Sequence, residues 1–302
     1  MNNPLPIFIT GTTGIAGGFA VTELNKRHYP LRIMVRKLPD SSATHLNTYI
    51  EGDLSNLPQL DIDSKNNAGI IHYACASLRG RAKKEVDIEA MKVLLNNWDK
   101  GPFIFISSLD VYGASNNPDI IDETRILSGH VNEYAAGKIA CEKLLVAHAK
   151  KNGRTDYTIF RAPWIFSPSL ASKNHMQSRF VSIFENDIIL PGATQNEWEK
   201  FADPWVDARD LAWLVAEAIT KPLGGAGNVL ANSFNWHDFF ETLNTVTTDK
   251  RNIVHKPLAE VPNFSAELFG NTCVFSAERI KQFYGFSPHY QLRETLTEAF
   301  TK

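Results

Sequence analysis

The sequence has little of what would tie it to an oxidising compartment, a membrane or a nucleic acid. Three cysteines, Cys75, Cys141 and Cys273, are an odd number, far apart and without a CxxC pair, so no disulfide framework is expected. No stretch approaches the ~18 consecutive apolar residues of a membrane span. The opening MNNPLPIFITG runs straight into a strand pattern with no basic leader, so a cytoplasmic chain is expected. Lys and Arg number 31 against 33 Asp and Glu, a formal net charge of -2 that offers no field for nucleic acid or an anionic membrane. Nine histidines show no HExxH or other ligand spacing, and no metal is expected. One local exception to the even charge is Arg79-Gly80-Arg81-Ala82-Lys83-Lys84, either a solvated loop or a reception site for an anionic substrate.

What is present is a globular composition, 43% hydrophobic and 21% charged over 302 residues, enough for one large domain or two lobes. Short apolar runs alternate with helix-length amphipathic segments through the first half, the pattern of βαβ units and a parallel sheet. Strands are expected at Leu5–Thr10, Leu31–Val35, Thr48–Glu51, Gly69–Ala74, Phe103–Ser107 and Tyr157–Phe160, with helices at Ile15–Arg27, Lys84–Asp99 and Val131–Lys151. Beyond Pro163 prolines break this rhythm. The fold expected is α/β, a Rossmann-type doubly wound parallel sheet over residues 1–165, completed by segments near 203–231, with 166–302 mainly a smaller C-terminal substrate-binding lobe. Trp164, Trp205, Trp213 and Trp236 have no interleaved basic stripe and read as packing residues rather than a stacking platform.

Thr10-Gly11-Thr12-Thr13-Gly14-Ile15-Ala16-Gly17 links the first strand to the first helix. Glycines there let the backbone turn sharply and approach a pyrophosphate, and the helix N-terminus offers free amides to an anion. Gly11, Thr13, Gly14, Ile15 and Gly17 are the expected cofactor-binding turn. Its spacing is GxxGxxG, and no GK[ST] follows, which excludes a P-loop. The second strand runs into Arg36 and Lys37 where an NAD site usually carries an acid for the ribose. Arg36 therefore suits the 2′-phosphate of NADP, unless the pair is simply solvated. Asp53, after the third strand, is placed to accept from an adenine amino group.

Ser108 ends the fifth strand on the side where open α/β sheets bind ligands, and Tyr134 follows 26 residues later on the next helix. Lys138 stands four residues further on, so it shares a helix face with Tyr134. A phenol titrating near 10 needs a shift of roughly three units, about 4 kcal/mol, to work at neutral pH. Lys138 is the ammonium expected to supply part of that, and a positively charged nicotinamide more. Tyr134 would exchange a proton with a substrate oxygen that Ser108 orients. His72, ending a buried strand, reads as a structural histidine.

Taken together these motifs resemble an extended short-chain dehydrogenase/reductase of the NAD(P)-dependent epimerase/dehydratase family. The family's TGxxGxxG resembles Thr10–Gly17, its HxAA His72-Tyr73-Ala74-Cys75, its SSxxVYG Ser107–Gly113 and its YxxxK Tyr134 and Lys138. Its Asp-Leu resembles Asp53-Leu54, its RxPxIxxP Arg161–Pro168, its V-D-D-hydrophobic-A Val206–Ala212 and its closing segment Gly285–Pro288. The resemblance implies that Leu54, Tyr73, Ala74, Pro163 and Lys138 also touch the cofactor, and that two copies could pair through the YxxxK helix as a homodimer. It also has departures. Asp87 stands where many members have an asparagine that helps set the proton relay. Leu109-Asp110 supplies one carboxylate where sugar-nucleotide dehydratases carry two, and Glu199–Pro204 lacks the arginine common in sugar-nucleotide members.

The function expected is an NAD(P)-dependent oxidoreductase or epimerase acting on a hydroxyl or carbonyl of a small molecule, NADP being favoured over NAD. The alternatives are a nucleotide-sugar epimerase with tightly held NAD and a non-catalytic NADP-sensing regulator. The intact Ser108, Tyr134 and Lys138 argue against the second.

Overall fold

The computed structural model describes residues 5–39, 46–76, 83–113, 119–128, 132–169, 187–247 and 250–300. Seven strands form one parallel sheet: β1 (Ile7–Thr10), β2 (Leu31–Val35), β3 (Asn47–Glu51), β4 (Gly69–His72), β5 (Phe103–Ser108), β6 (Tyr157–Ala162) and β10 (Gly225–Asn228). Their order across the sheet is β10-β6-β5-β4-β1-β2-β3. The order reverses between β1 and β4, where open α/β sheets form a ligand crevice at the carboxyl ends of the strands.

The central strands β1, β4 and β5 are buried on both faces, which explains their apolar runs. Side chains alternate across the sheet. Ile7, Ile9, Ile33, Ile71, Ile104 and Ile106 pack with Ala16, Ala20 and Leu24 of α1 (Ile15–Lys26) and with Leu211, Leu214 and Val215 of a later helix (Ala208–Thr220). On the other face Phe8, Met34, Ile70, Phe103, Phe105 and Ile159 meet Ala90, Met91 and Leu94 of α3 (Lys84–Asn96) and Cys141 and Leu145 of α4 (Glu133–Lys151). Each alternation buries roughly 1.5–3 kcal/mol per large apolar side chain, on both sides of one backbone.

Expected and observed elements differ at their ends. Strand β1 starts at Ile7, after Pro6, which has no N–H to give the ladder. Strand β4 stops at His72, so Tyr73, Ala74 and Cys75 lie in the crevice mouth, while β6 runs on to Ala162 and buries Arg161 against an ion-pair partner. The helix before β4, α2 (Leu57–Asp63), was not expected. It is seven residues long, is capped by the Asn56 side chain accepting from Gln59 N–H at 3.4 Å, and buries only Leu60, too little for a periodic pattern. Val131, the expected start of α4, lies outside the described residues, as do Arg79–Ala82 of the basic run; Lys83 and Lys84 are described.

Beyond β6 the chain builds a second core of aromatic residues. Strand β7 (Trp164–Phe166) pairs in parallel with β9 (Ala202–Asp207), which pairs antiparallel with β11 (Asn232–Asn235). A parallel pair, β8 (Ile188–Pro191) and β12 (Ile253–Lys256), lies beside α5 (Gln195–Trp198). Helix α6 (Ala208–Thr220) returns to the main sheet, and α7 (Trp236–Val246), α8 (Asn263–Phe269), α9 (Glu278–Tyr284) and α10 (Leu292–Phe300) complete the chain. Trp205 and Trp236 are fully buried among Phe166, Phe234, Phe239 and Phe269, Trp164 packs on their edge, and Trp213 stacks on Phe286. Among the described residues no helix is long and apolar enough to cross a membrane.

Candidate active site

The turn between β1 and α1 takes the backbone into the left-handed region at Gly11, φ 76°. A Cβ there would lie 2.7 Å from the carbonyl carbon of Tyr73, so only glycine lets the turn approach the end of β4. At Gly17 a Cβ would lie 2.8 Å from Thr12 Cα, and the helix could not pack on its own turn. Gly14 is the N-cap of α1, no side chain caps this end, and no acidic residue occupies its first turn. The first amides of α1, at Ile15 and beyond Thr13, therefore remain for an anionic ligand. Beside the turn, the buried hydroxyl of Tyr73 has no hydrogen-bond partner among the described residues, and burial pushes its titration far above the phenol range. Ala74 N–H donates to Thr10 Oγ1 at 3.3 Å, tying the crevice mouth to β1. A tight glycine turn, an uncapped helix start and an orphaned hydroxyl fit the phosphates and ribose of a dinucleotide.

At the ends of β2 and β3, Arg36 and Lys37 are exposed. Asp53 accepts from both the Ser55 hydroxyl (2.6 Å) and its N–H (2.9 Å), which together hold its carboxyl below the usual range, with Arg36 and Lys83 contributing. Leu54 is buried under this loop, and Pro163 sits half-buried between β6 and β7. The structure thus brings Arg36 and Asp53 within electrostatic reach of each other.

Ser108 closes β5. Its hydroxyl accepts from Asp110 N–H at 3.2 Å, which starts the one-turn 3-10 helix Leu109–Tyr112. Asn132 caps α4 by accepting from Ala135 N–H at 2.8 Å, which sets Tyr134 in the first turn over the end of β5. The Ser108 hydroxyl reaches the Tyr134 phenol. One turn on, Lys138 is 5% exposed, donates to Ile106 O at 2.7 Å, and its ammonium lies 5.7 Å from the Tyr134 ring centre. Burial opposes the Lys138 charge, yet Cys75, Tyr134, Cys141 and Asp87 together hold it above its ordinary value.

The Tyr134 phenol departs from the expectation. Burial pushes it up to about 12 and outweighs the Lys138 ammonium and the Ser108 hydroxyl that pull it down, while Asp110 and Cys75 reinforce burial. The residues of the chain alone therefore keep Tyr134 a proton donor at neutral pH. Asp110 is likewise held above the usual carboxylate range by desolvation, against the Ser108 hydroxyl. His72 is 1% exposed and bonded to Thr10 Oγ1 at 2.7 Å, and burial beside Lys138 pushes it down to about 3, so it stays neutral.

Three sets of contacts were not legible in the sequence, where Asp87 stood out only as a departure from the family's asparagine. Asp87 on α3 is 4% exposed and accepts from Ala76 N–H at 2.6 Å and from the Cys75 thiol at 3.4 Å. Behind Ser108, the Ser107 hydroxyl donates to Glu142 at 2.5 Å; Glu142 pairs with Arg161 at 2.7 Å, and Arg161 donates to Tyr112, which donates to Asn228. Across the crevice, Asp203 on β9 accepts from Trp236 and Asn271; burial raises its carboxyl to about 6, and Asp110 adds to the rise. None shows a spacing motif, because each joins residues at least 11 apart through the fold. Among the described residues no group of three or more His, Cys, Asp or Glu could hold a metal ion.

Residues 7–231 match the model of the NAD dependent epimerase/dehydratase family. No curated protein matches the chain by sequence. Among solved structures, a UDP-glucose 4-epimerase of Thermotoga maritima bound to UDP-glucose superposes with a TM-score of 0.78 at 18% identity, over 98% of this chain and 97% of that one. A UDP-N-acetylglucosamine 4-epimerase of Methanobrevibacter ruminantium in complex with UDP-N-acetylmuramic acid gives 0.76 at 18%, over 99% and 98%. A dTDP-glucose 4,6-dehydratase of Bacillus anthracis in complex with NAD gives 0.74 at 15%, over 98% and 95%. At these identities the likeness is one of fold.

Proposed function

Because the chain belongs to the NAD dependent epimerase/dehydratase family, we propose that it moves hydride and a proton at a hydroxyl or carbonyl carbon of a small molecule, with Tyr134 as the acid/base. The observation that carries this reading is the convergence of Ser108, Tyr134 and Lys138 at the end of β5, beside the reversal of strand order. A bound nicotinamide dinucleotide supplies the hydride chemistry and a positive charge. Gly11, Thr13, Gly14, Ile15 and Gly17 would receive its phosphates, Arg36, Asp53 and Leu54 its adenosine half, and Tyr73, Ala74, Lys138 and Pro163 its inner half.

The phenol, held protonated by burial, donates to the oxygen of a carbonyl substrate as hydride arrives at its carbon. Ser108 donates a second hydrogen bond to that oxygen, and Lys138 stabilises the phenolate left behind. In the reverse direction the same proton returns from a hydroxyl to Tyr134. Tyr134→Phe removes the proton and keeps the ring; NADPH binding unchanged with turnover lowered at least 100-fold is expected, and full turnover would remove the assignment.

NADP is the preferred cofactor in this reading, on the exposed Arg36 at the end of β2. Arg36→Asp is expected to reverse the ratio of NADPH to NADH affinity, and an unchanged ratio overturns the preference. A nucleotide-sugar epimerase with tightly held NAD is the second reading, favoured by the sugar-nucleotide enzymes among the fold's likenesses. Mass spectrometry of small molecules retained on purification separates the two, retained NAD favouring the epimerase. A homodimer through α4 and a cytoplasmic location belong to the same proposal.

A further inference from the structure

Trp164 opens β7 two residues after Ala162, which pairs with Ser108 across β6 and β5, and it pairs in turn with Trp205 on β9. The indole therefore stands at the joint between the main sheet and the aromatic core, on the rim of the candidate active site. Trp205 and Trp236 behind it are each 2% exposed, whereas Trp164 is only half-buried. Its buried side is fixed. The Trp236 ring meets it edge-on at 5.5 Å and 87°, and the Phe166 ring lies nearly parallel to it at 6.5 Å. The Trp164 side chain also bonds to the Asp203 carboxylate, which accepts from Trp236 Nε1 at 2.7 Å and from Asn271 Nδ2 at 2.6 Å. An indole held by its edge keeps one orientation, and the ring surface it leaves in water gains most by stacking on another flat or apolar ring.

The charge at this level has the opposite sign from the one a phosphate needs. Strand β9 brings the Asp203 carboxyl here, and it titrates at about 6, so it is ionised at neutral pH. Asp110, two residues after Ser108, lies near enough to act on it. A nucleoside diphosphate against Trp164 would meet these carboxyls and an indole N–H already spent on Asp203. An uncharged ring avoids both costs.

We propose that Trp164 determines specificity at the candidate active site: its indole is a fixed wall for the flat, apolar ring of an uncharged carbonyl or alcohol substrate, and the carboxylate behind it turns nucleoside diphosphates away. The inference deepens the first reading of the function, rests on the reaction taking place at Ser108 and Tyr134, and stands against the nucleotide-sugar reading.

The test is one of binding. The full chain, saturated with oxidised cofactor so that a ketone is not reduced, is titrated by isothermal calorimetry with acetophenone and separately with UDP. Acetophenone is expected to bind more tightly than UDP. Trp164→Ala should weaken acetophenone about tenfold, and Trp164→Phe, which keeps a flat ring, by less than about threefold. No binding of acetophenone to wild type, an affinity unchanged in Trp164→Ala, or tighter binding of UDP overturns the proposal. Should Trp164→Ala fail to fold, the Trp164 indole N–H resonance of the wild-type chain, assigned with Trp164→Phe, is expected to shift as acetophenone is added, and an unmoved resonance overturns the proposal. If acetophenone binds through Trp164 while Tyr134→Phe retains full turnover on an identified substrate, the acid/base reading falls and the wall stands. If Tyr134→Phe abolishes turnover of UDP-glucose, the wall falls and the acid/base reading stands.

Discussion

Removing Glu142 should destabilise the protein through the charge it leaves behind. Glu142 and Arg161 have side chains 3% and 7% exposed and meet at 2.7 Å, with two further Arg161 Nε contacts at 3.2 Å. In Glu142→Ala the guanidinium keeps only the Tyr112 hydroxyl at 2.6 Å among the partners described here, and the Ser107 hydroxyl loses its 2.5 Å acceptor. Breaking a buried pair from one side costs about 3–5 kcal/mol. An orphaned hydroxyl adds about 1 kcal/mol. Replacing both partners, Glu142→Leu with Arg161→Met, removes the uncompensated charge and should recover at least half of the loss, because apolar packing commonly matches a buried pair. Urea unfolding of wild type, Glu142→Ala and the double variant measures this directly. A single variant losing under about 1 kcal/mol, or a double variant no more stable than the single one, would refute the reasoning. Ser107 precedes Ser108 on β5, so the single variant should also lower turnover at temperatures where it remains folded.

The remaining predictions concern pH and the turn. Asp203 is 5% exposed and its carboxyl titrates at about 6 rather than 3.8, so the folded state holds its proton more tightly. Its contribution is complete below pH 3.8 and is lost as pH rises through about 6, a change of about 3 kcal/mol. The stability of wild type minus that of Asp203→Asn should fall by about that much between pH 4 and 7, and a flat difference would sink the explanation. Gly11→Ala sets a side chain at φ 76° against Tyr73 and Ala74; NADPH affinity should drop at least tenfold in a chain that still folds, and unchanged affinity in isothermal titration would separate the turn from the ligand. Gly17→Val should unfold α1 from β1, read as lost protection of the α1 amides to hydrogen exchange.

The parallel sheet was legible because its signal is local. Isoleucines and phenylalanines alternate through β1 and β5 so that each face finds its own helices, and the glycine turn, the strand-end serine and the YxxxK spacing are all short-range patterns. What was hidden depends on which distant residues the fold brings together. The burial of Tyr134 cannot be seen in its sequence neighbours, and it reverses the sign expected from Lys138 alone. Arg161 lies one residue beyond the strand end expected at Phe160, and only Glu142, on another element, makes it the buried half of a pair. Helix α2 went unseen because a single buried leucine carries no period.

Helix α4 shows why chemistry and stability are hard to separate in this site. Its buried stripe holds Ala135, Lys138, Glu142, Leu145 and Ala149, spaced three and four residues apart, with Gly137 and Cys141 buried beside it, so two charged side chains occupy positions that an ordinary amphipathic helix gives to Leu or Ile. Each is tolerated only because the sheet beneath supplies a partner: the Ile106 carbonyl for Lys138, Arg161 and Ser107 for Glu142. The partners lie on β5 and β6, the strands whose ends hold Ser108 and Ala162, so a substitution that loosens the stripe is expected to disturb Ser108 as well. Arg36 and Asp53, at the exposed far end of the sheet, have no such dependence. Cofactor choice should therefore change by substitution there without loss of stability, whereas any change at 138 or 142 should register in unfolding and in turnover together.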